Sequence, residues 1–135
     1  MRRFNPPADL REWVDMEVAL FNKKGKPVAY IAEDGDAVYL WDGTPVAYLY
    51  EDKLYGWNGK QLGWFTNGTV FDIYGLRAGF IKSKSPLVTE LEPPKTMKQQ
   101  RGAKKVKQPQ VAKPVMCYGY SGKSLEELLE EGKVR

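Results

Sequence analysis

The chain has 135 residues, 42% hydrophobic and 28% charged, which is the range of one ordinary globular domain. It has no histidine and one cysteine, Cys117, which excludes histidine triads, histidine metal ligands, an internal disulfide and any multi-cysteine zinc site. The net charge of +4 is uneven: residues 93–113 hold seven basic side chains and no acidic one, whereas residues 1–92 hold 11 basic and 13 acidic.

The first predicted element is a short helix over 5–16, NPPADLREWVDM. Asn5 suits its N-cap and Pro6 or Pro7 its first turn. Leu10, Trp13 and Val14 share one face, and the expectation is that they lid one end of the domain that follows. No apolar run follows Arg2 and Arg3, so no export signal is read, and no stretch reaches the ~20 apolar residues of a membrane helix. With a lone cysteine, this points to a cytoplasmic, reducing location and to no membrane partner.

Four related segments follow: VALFNKKGKPVAYI (18–31), VYLWDGTPVAYL (38–49), LYGWNGKQLGWF (54–65) and VFDIYGLRAGFI (70–81). Aligned with one turn insertion in the first unit, they share columns. Val18, Val38, Leu54 and Val70 open the units, and Phe21, Trp41, Trp57 and Ile73 end the first strands. Gly25, Gly43, Gly59 and Gly75 sit in the turns. A small column, Ala29, Ala47, Gly63 and Gly79, precedes an aromatic one, Tyr30, Tyr48, Trp64 and Phe80.

Each unit reads as a β-hairpin, with β-branched and aromatic flanks. Asp42-Gly43 and Asn58-Gly59 predict type I′ turns, and the first unit a longer Lys-Lys-Gly loop. Pro27 and Pro45 open second strands, where the missing N–H can face outward. The links between units are turn-like, including Asn67-Gly68, which reads as a turn pair rather than a glycosylation site. Such spacing leaves no room for crossover helices, so the sheet is antiparallel. Both strand faces are apolar and both need cover, which four hairpins around a common axis supply. The small column then allows close backbone approach or makes room for an opposing ring.

The fold class expected is therefore all-β, four antiparallel hairpins around a pseudo-four-fold axis within residues 17–92. The repeated W-[DN]-G-x-x-[VL]-[AG]-[YW]-[LF], in WDGTPVAYL and WNGKQLGWF, resembles the four-fold β-flower family over about residues 15–85. That resemblance implies a fold and brings no activity and no catalytic residue. The fourth unit departs from it, with Ile73 and Tyr74 in place of Trp and Asp or Asn.

Beyond the repeat, residues 93–114 read by composition as a basic, proline-containing linker or arm, a solvated tether. Leu87, Val88 and Leu91 are candidates to pair with the body as an edge strand. Lys95, Lys98, Arg101, Lys104, Lys105, Lys107 and Lys113 are the candidate contacts for nucleic acid or another polyanion, although no aromatics are interleaved for base stacking. The tail, 115–135, ends in a short amphipathic helix. Ser124 and Glu127 form its capping box, Gly132 stops it, and Leu125, Leu128 and Leu129 make its apolar face.

No catalytic constellation emerges, and no cofactor is implied. Gly119–Ser124 has the look of a phosphate loop but reads as the start of a capped helix, since Cys117 stands where that pattern needs glycine. Cys117 reads as a half-buried thiol. Glu33, Asp34, Asp36, Glu51 and Asp52 read as solvated turn residues. Tyr30, Tyr48, Trp64 and Phe80 are either core or a candidate aromatic pocket. The expected function is a non-catalytic protein-interaction or ligand-binding module, partnered by another protein or by self-association through the C-terminal arm. The alternative is polyanion or nucleic-acid binding through 95–113. On the interaction reading, deleting 93–135 leaves a folded body.

Overall fold

The structure is a computed structural model that describes residues 16–134. The helix expected over 5–16 lies outside the described residues, apart from Met16.

Alternating β-branched and aromatic residues, cut by glycine turns, give eight strands: β1 (Val18–Phe21), β2 (Pro27–Ile31), β3 (Ala37–Leu40), β4 (Pro45–Tyr50), β5 (Lys53–Gly56), β6 (Gln61–Thr66), β7 (Thr69–Asp72) and β8 (Arg77–Phe80). Each pairs antiparallel with the next, and Phe21 opposite Phe80 closes β8 onto β1. The four hairpins thus form a closed eight-stranded barrel around a pseudo-four-fold axis, as the repeat requires. Closure leaves little sheet edge, taken by a single parallel bridge of Tyr120 with Arg77 of β8. That is why Leu87, Val88 and Leu91 do not form the edge strand expected of them.

The interior follows from strand alternation. Leu20, Val38, Leu54 and Val70 point inward, opposite Ala29, Ala47, Gly63 and Gly79 respectively. The small column does both jobs in turn. A side chain at Gly63 would collide with the Phe71 carbonyl, and one at Gly79 would collide with the Leu125 side chain. Leu125 belongs to helix α1 (Leu125–Glu130), whose Leu125, Leu128 and Leu129 are at most 1% exposed and join the barrel's inner cluster. The tail helix is therefore a plug in one mouth of the barrel. Its Ser124–Glu127 capping box is formed as expected. Gly132 serves close approach, because a side chain there would meet the Val46 carbonyl.

All four hairpin turns have one form. The N–H of Gly25, Gly43, Gly59 or Gly75 donates to the residue three before it, and the glycine φ lies between 81° and 91°. This is a three-residue loop, a type I turn followed by a left-handed glycine, in place of the type I′ turn expected. Asp42 and Asn58 keep negative φ and instead accept backbone N–H bonds from Thr44 and Lys60. Two consecutive positive φ values do occur at Asn67-Gly68, in a link between units.

The first unit has no longer loop. With its turn in register, Leu20 aligns with Val38, and Phe21 with Tyr39, Tyr55 and Phe71. Lys23, not Phe21, is the counterpart of Trp41, Trp57 and Ile73. Every hairpin also shifts register at one place, after Leu20, Val38, Leu54 and Val70, opposite Val28, Val46, Leu62 and Ala78. Pro27 and Pro45 sit beside these bulges, where a missing N–H is tolerated.

Candidate functional site

On the outer face, residues of neighbouring hairpins meet as pairs: Tyr30 with Tyr39, Tyr48 with Tyr55, Trp64 with Phe71 and Phe80 with Phe21. The two tyrosine pairs stack at 5.6 and 5.8 Å, and Trp41 and Trp57 stand edge-on against Tyr30 and Tyr48. Large aromatic area of this kind is costly to leave in water. The candidate pocket residues Tyr30, Tyr48, Trp64 and Phe80 are in fact at most 3% exposed. They form the barrel's outer packing layer, and the segment that covers them includes the expected tether.

Residues 86–121 circle the barrel and touch its turns in chain order. The amide N–H groups of Glu90, Gln99, Gln108 and Cys117 donate to the carbonyls of Gly25, Gly43, Gly59 and Gly75, at 2.8–2.9 Å. These four donors are nine residues apart. Two residues before each, the carbonyls of Val88, Met97, Val106 and Val115 lie where a side chain on the turn glycine would be. The glycine is thus needed twice, for its positive φ and for contact with the arm. The Trp41 and Trp57 indoles donate to the carbonyls of Pro93 and Gly102, again nine apart. Thr96 and Lys105 donate to the Trp41 and Trp57 carbonyls, whereas Pro114 in the next repeat has no N–H to give.

The basic side chains follow the same period. Lys95, Lys104 and Lys113 pair with Glu17, Asp36 and Asp52, each of which stands just before an odd-numbered strand. Lys95 also lies 4.8 Å from the Trp41 ring centre, and Lys104 lies 4.3 Å from that of Tyr48. Lys98 pairs with Glu17 and Glu33, and Arg101 with Asp34 and the Tyr39 hydroxyl. Lys107 lies 4.2 Å from the Tyr50 ring centre, and Lys105 is exposed. Among the described residues, only Lys105 and Lys107 of the seven candidate contacts lack a carboxylate partner.

The carboxylates respond. Burial pushes Glu17 up, but Lys98 and Lys95 together hold it below its ordinary value. Burial likewise raises Asp34, and the Asp36 N–H and Arg101 more than offset it. The Lys113 ammonium lowers Asp52. Asp34, Asp36 and Asp52 are therefore docking points for the arm, whereas Glu51 pairs with Lys53 and is solvated, as expected. The tether expected over 93–114 is a belt, hydrogen-bonded to the hairpin turns. Cys117, read as half-buried, is exposed.

What the arm presents outward was missed in the sequence. Val88, Met97, Val106 and Val115 are 94%, 87%, 90% and 83% exposed, one over each turn. Their nine-residue spacing was the available signal. A cleft of about 660 Å³ opens beside the second turn, lined by residues including Pro45, Trp57, Gln99, Lys105 and Val134. Among the described residues, no group of three or more acidic or cysteine side chains is placed to hold a metal, and no helix is long and apolar enough to cross a membrane.

Compared with known proteins, residues 18–129 match the family described as the 4-fold beta flower protein, a span that takes in the arm and α1 as well as the hairpins. No curated protein and no solved structure matches the chain.

Proposed function

The chain belongs to the four-fold beta-flower family, and from that premise we propose that it is a non-catalytic interaction module whose contact surface is the outward side of the arm. The observation that carries this reading is the exposed set Val88, Met97, Val106 and Val115. Single exposed apolar residues are ordinary. Four at the same place in each repeat, on a backbone anchored at every turn, form a rigid array with little ordering cost on binding. The partner is another protein or a further copy of the chain, and the cleft beside Trp57 is the place for a small ligand. A lone cysteine suits a reducing compartment, and the cytoplasm is the location we assign.

What supports a non-catalytic role is the chemistry available. There is no histidine for acid–base work. The buried carboxylate, Asp72, is engaged by the Ser121 hydroxyl and by the N–H groups of Tyr74 and Leu76.

The polyanion reading has less behind it, because five of the seven arm cations face carboxylates of the same chain. With Lys105 and Lys107 alone available, about two phosphates would be neutralised. The log–log salt slope would then be about −2 on duplex DNA.

The test compares the full chain with a Val88→Ser, Met97→Ser, Val106→Ser, Val115→Ser variant. Sedimentation across a concentration series and partner capture are measured for both. The reading expects association that the variant loses while its thermal unfolding is unchanged. Identical behaviour of the two proteins would overturn it. Salt-dependent binding of labelled DNA or RNA, lost on Lys105→Gln with Lys107→Gln, would transfer the function to the polyanion alternative.

A further inference from the structure

Along the arm, Lys95, Lys104 and Lys113 are each matched by a carboxylate. Where the arm ends, at the seam of β8 with β1, the cations are not. A cleft of about 130 Å³ opens there, lined by residues including Asn22, Lys23, Lys24, Arg77, Lys123 and Glu126. Among the described residues, Lys23, Lys24 and Arg77 pair with no carboxylate. Arg77 gives its Nη2 to the Tyr118 carbonyl, and its Nε has no acceptor. Lys123 pairs with Glu131, Glu126 accepts from the Asn22 amide at 3.3 Å, and Asp72 is taken by the Ser121 hydroxyl. Counting Glu131, four cations face two carboxylates, and the concave walls focus that excess of positive charge.

The same place gathers aromatic rings. Among the described residues, Tyr74, Tyr118 and Tyr120 are three of the four exposed aromatic side chains, at 70%, 90% and 44%. The Tyr120 and Tyr118 ring centres lie 4.6 and 5.8 Å from the Arg77 guanidinium, and Lys23 lies 5.7 Å from that of Tyr120. Lys123 borders both the cleft and a smaller hollow beside Tyr74. Rings among the lysines are what the arm lacks in sequence. The fold assembles them here from the first turn, the fourth hairpin and the end of the arm. Cations alone would take any anion. Cations beside exposed rings favour a chain that offers phosphates and open base faces together, which is single-stranded nucleic acid.

We propose that the β8–β1 seam binds single-stranded nucleic acid. A backbone phosphate sits in the cleft against Lys23, Lys24 and Arg77, and adjoining bases stack on Tyr118 and Tyr74. This is independent of the interaction reading, which rests on Val88, Met97, Val106 and Val115, and it does not use the arm cations Lys105 and Lys107.

The test measures fluorescence anisotropy of a labelled oligothymidylate with the full chain across a salt series. With about three phosphates neutralised on a single strand, the log–log salt slope should be about −2. Lys23→Gln with Lys24→Gln should bring it to about −0.7. Tyr118→Ala should weaken binding about tenfold and leave the slope unchanged. Lys105→Gln with Lys107→Gln should change neither. These side chains are exposed, and circular dichroism checks that each variant keeps the parent fold. The variant with serine at Val88, Met97, Val106 and Val115 should bind the strand as the parent does, so the two readings fail separately. No binding at low salt would overturn the proposal. So would loss on the arm variant instead of the Lys23 and Lys24 variant, or tighter binding to a duplex, whose base faces are hidden. Competition by inorganic phosphate at the cleft lysines with no affinity for the oligonucleotide would overturn it too, and would assign the cleft to a small anion.

Discussion

In the barrel, Val38, Leu54 and Val70 stand sixteen residues apart, and what recurs is the side chain. In the arm, Glu90, Gln99, Gln108 and Cys117 stand nine apart, and what recurs is a backbone N–H given to a turn glycine. The barrel keeps its four-fold form by repeating volumes that fill an interior. The arm keeps it by repeating peptide hydrogen bonds, to which any residue but proline contributes. That freedom leaves its outward positions open to carry other chemistry, and they carry Val88, Met97, Val106 and Val115. Both periods serve one geometry, since each arm repeat spans one hairpin.

The comparison breaks most completely by removing one partner. A chain ending at Pro86 exposes Tyr30, Tyr39, Tyr48 and Tyr55 and empties the plugged mouth. Without that burial we expect no cooperative thermal transition, and an independently folded body would show that the arm is dispensable. Leu128→Ala tests the plug alone. A fully buried leucine cut to alanine costs about 2–5 kcal/mol, read as a lower urea midpoint.

Glycine variants separate conformation from contact. Gly35 and Gly59 both have positive φ, at 75° and 90°, but a side chain at Gly35 meets nothing, whereas one at Gly59 meets the Val106 carbonyl. Gly35→Ala should cost about 1 kcal/mol for its backbone alone. Gly59→Ala should cost more and should also lose protection at the Gln108 amide. Equal effects would mean that the arm does not touch the turn.

Acid gives a graded version. Glu17, Asp34 and Asp52 have folded values below their ordinary ones. Their contribution is present above the unfolded carboxylate values and is lost as pH falls through the lower, folded ones. Arm amides should therefore lose protection on acidification before the barrel amides do, and simultaneous loss would contradict this ordering. The smallest effect is expected from Trp57→Phe, which removes one indole bond to Gly102 and should cost about 0.5–1.5 kcal/mol in urea unfolding. The fourth unit, with Ile73 there, already lacks that bond.

The hairpins were legible because their columns are written in residue type. The misplacement of Phe21 came from treating Trp41 and Trp57 as an aromatic column, when Lys23 fills that position in the first unit. Turn type was missed because Asp-Gly and Asn-Gly suit two loops, and the side chains of Asp42 and Asn58 bind the backbone in the one that formed. The arm was misread because prolines and lysines describe a solvated chain by composition. Its partners, the Glu17, Asp36 and Asp52 carboxylates, lie 61 to 78 residues away in sequence. Only the nine-residue recurrence of Lys95, Lys104 and Lys113 and of Val88, Met97, Val106 and Val115 carried the belt, and backbone hydrogen bonds leave no mark on residue type. The tail helix was legible in full, since a capping box and three leucines are local signals.

The central claim is that the arm is part of the fold. Amide hydrogen exchange at Glu90, Gln99, Gln108 and Cys117 in the full chain tests it most directly. The account predicts that all four are protected well beyond a free peptide, as hydrogen-bonded amides of the folded protein. Exchange at free-peptide rates, with the barrel strands still protected, would contradict it and return the segment to a tether.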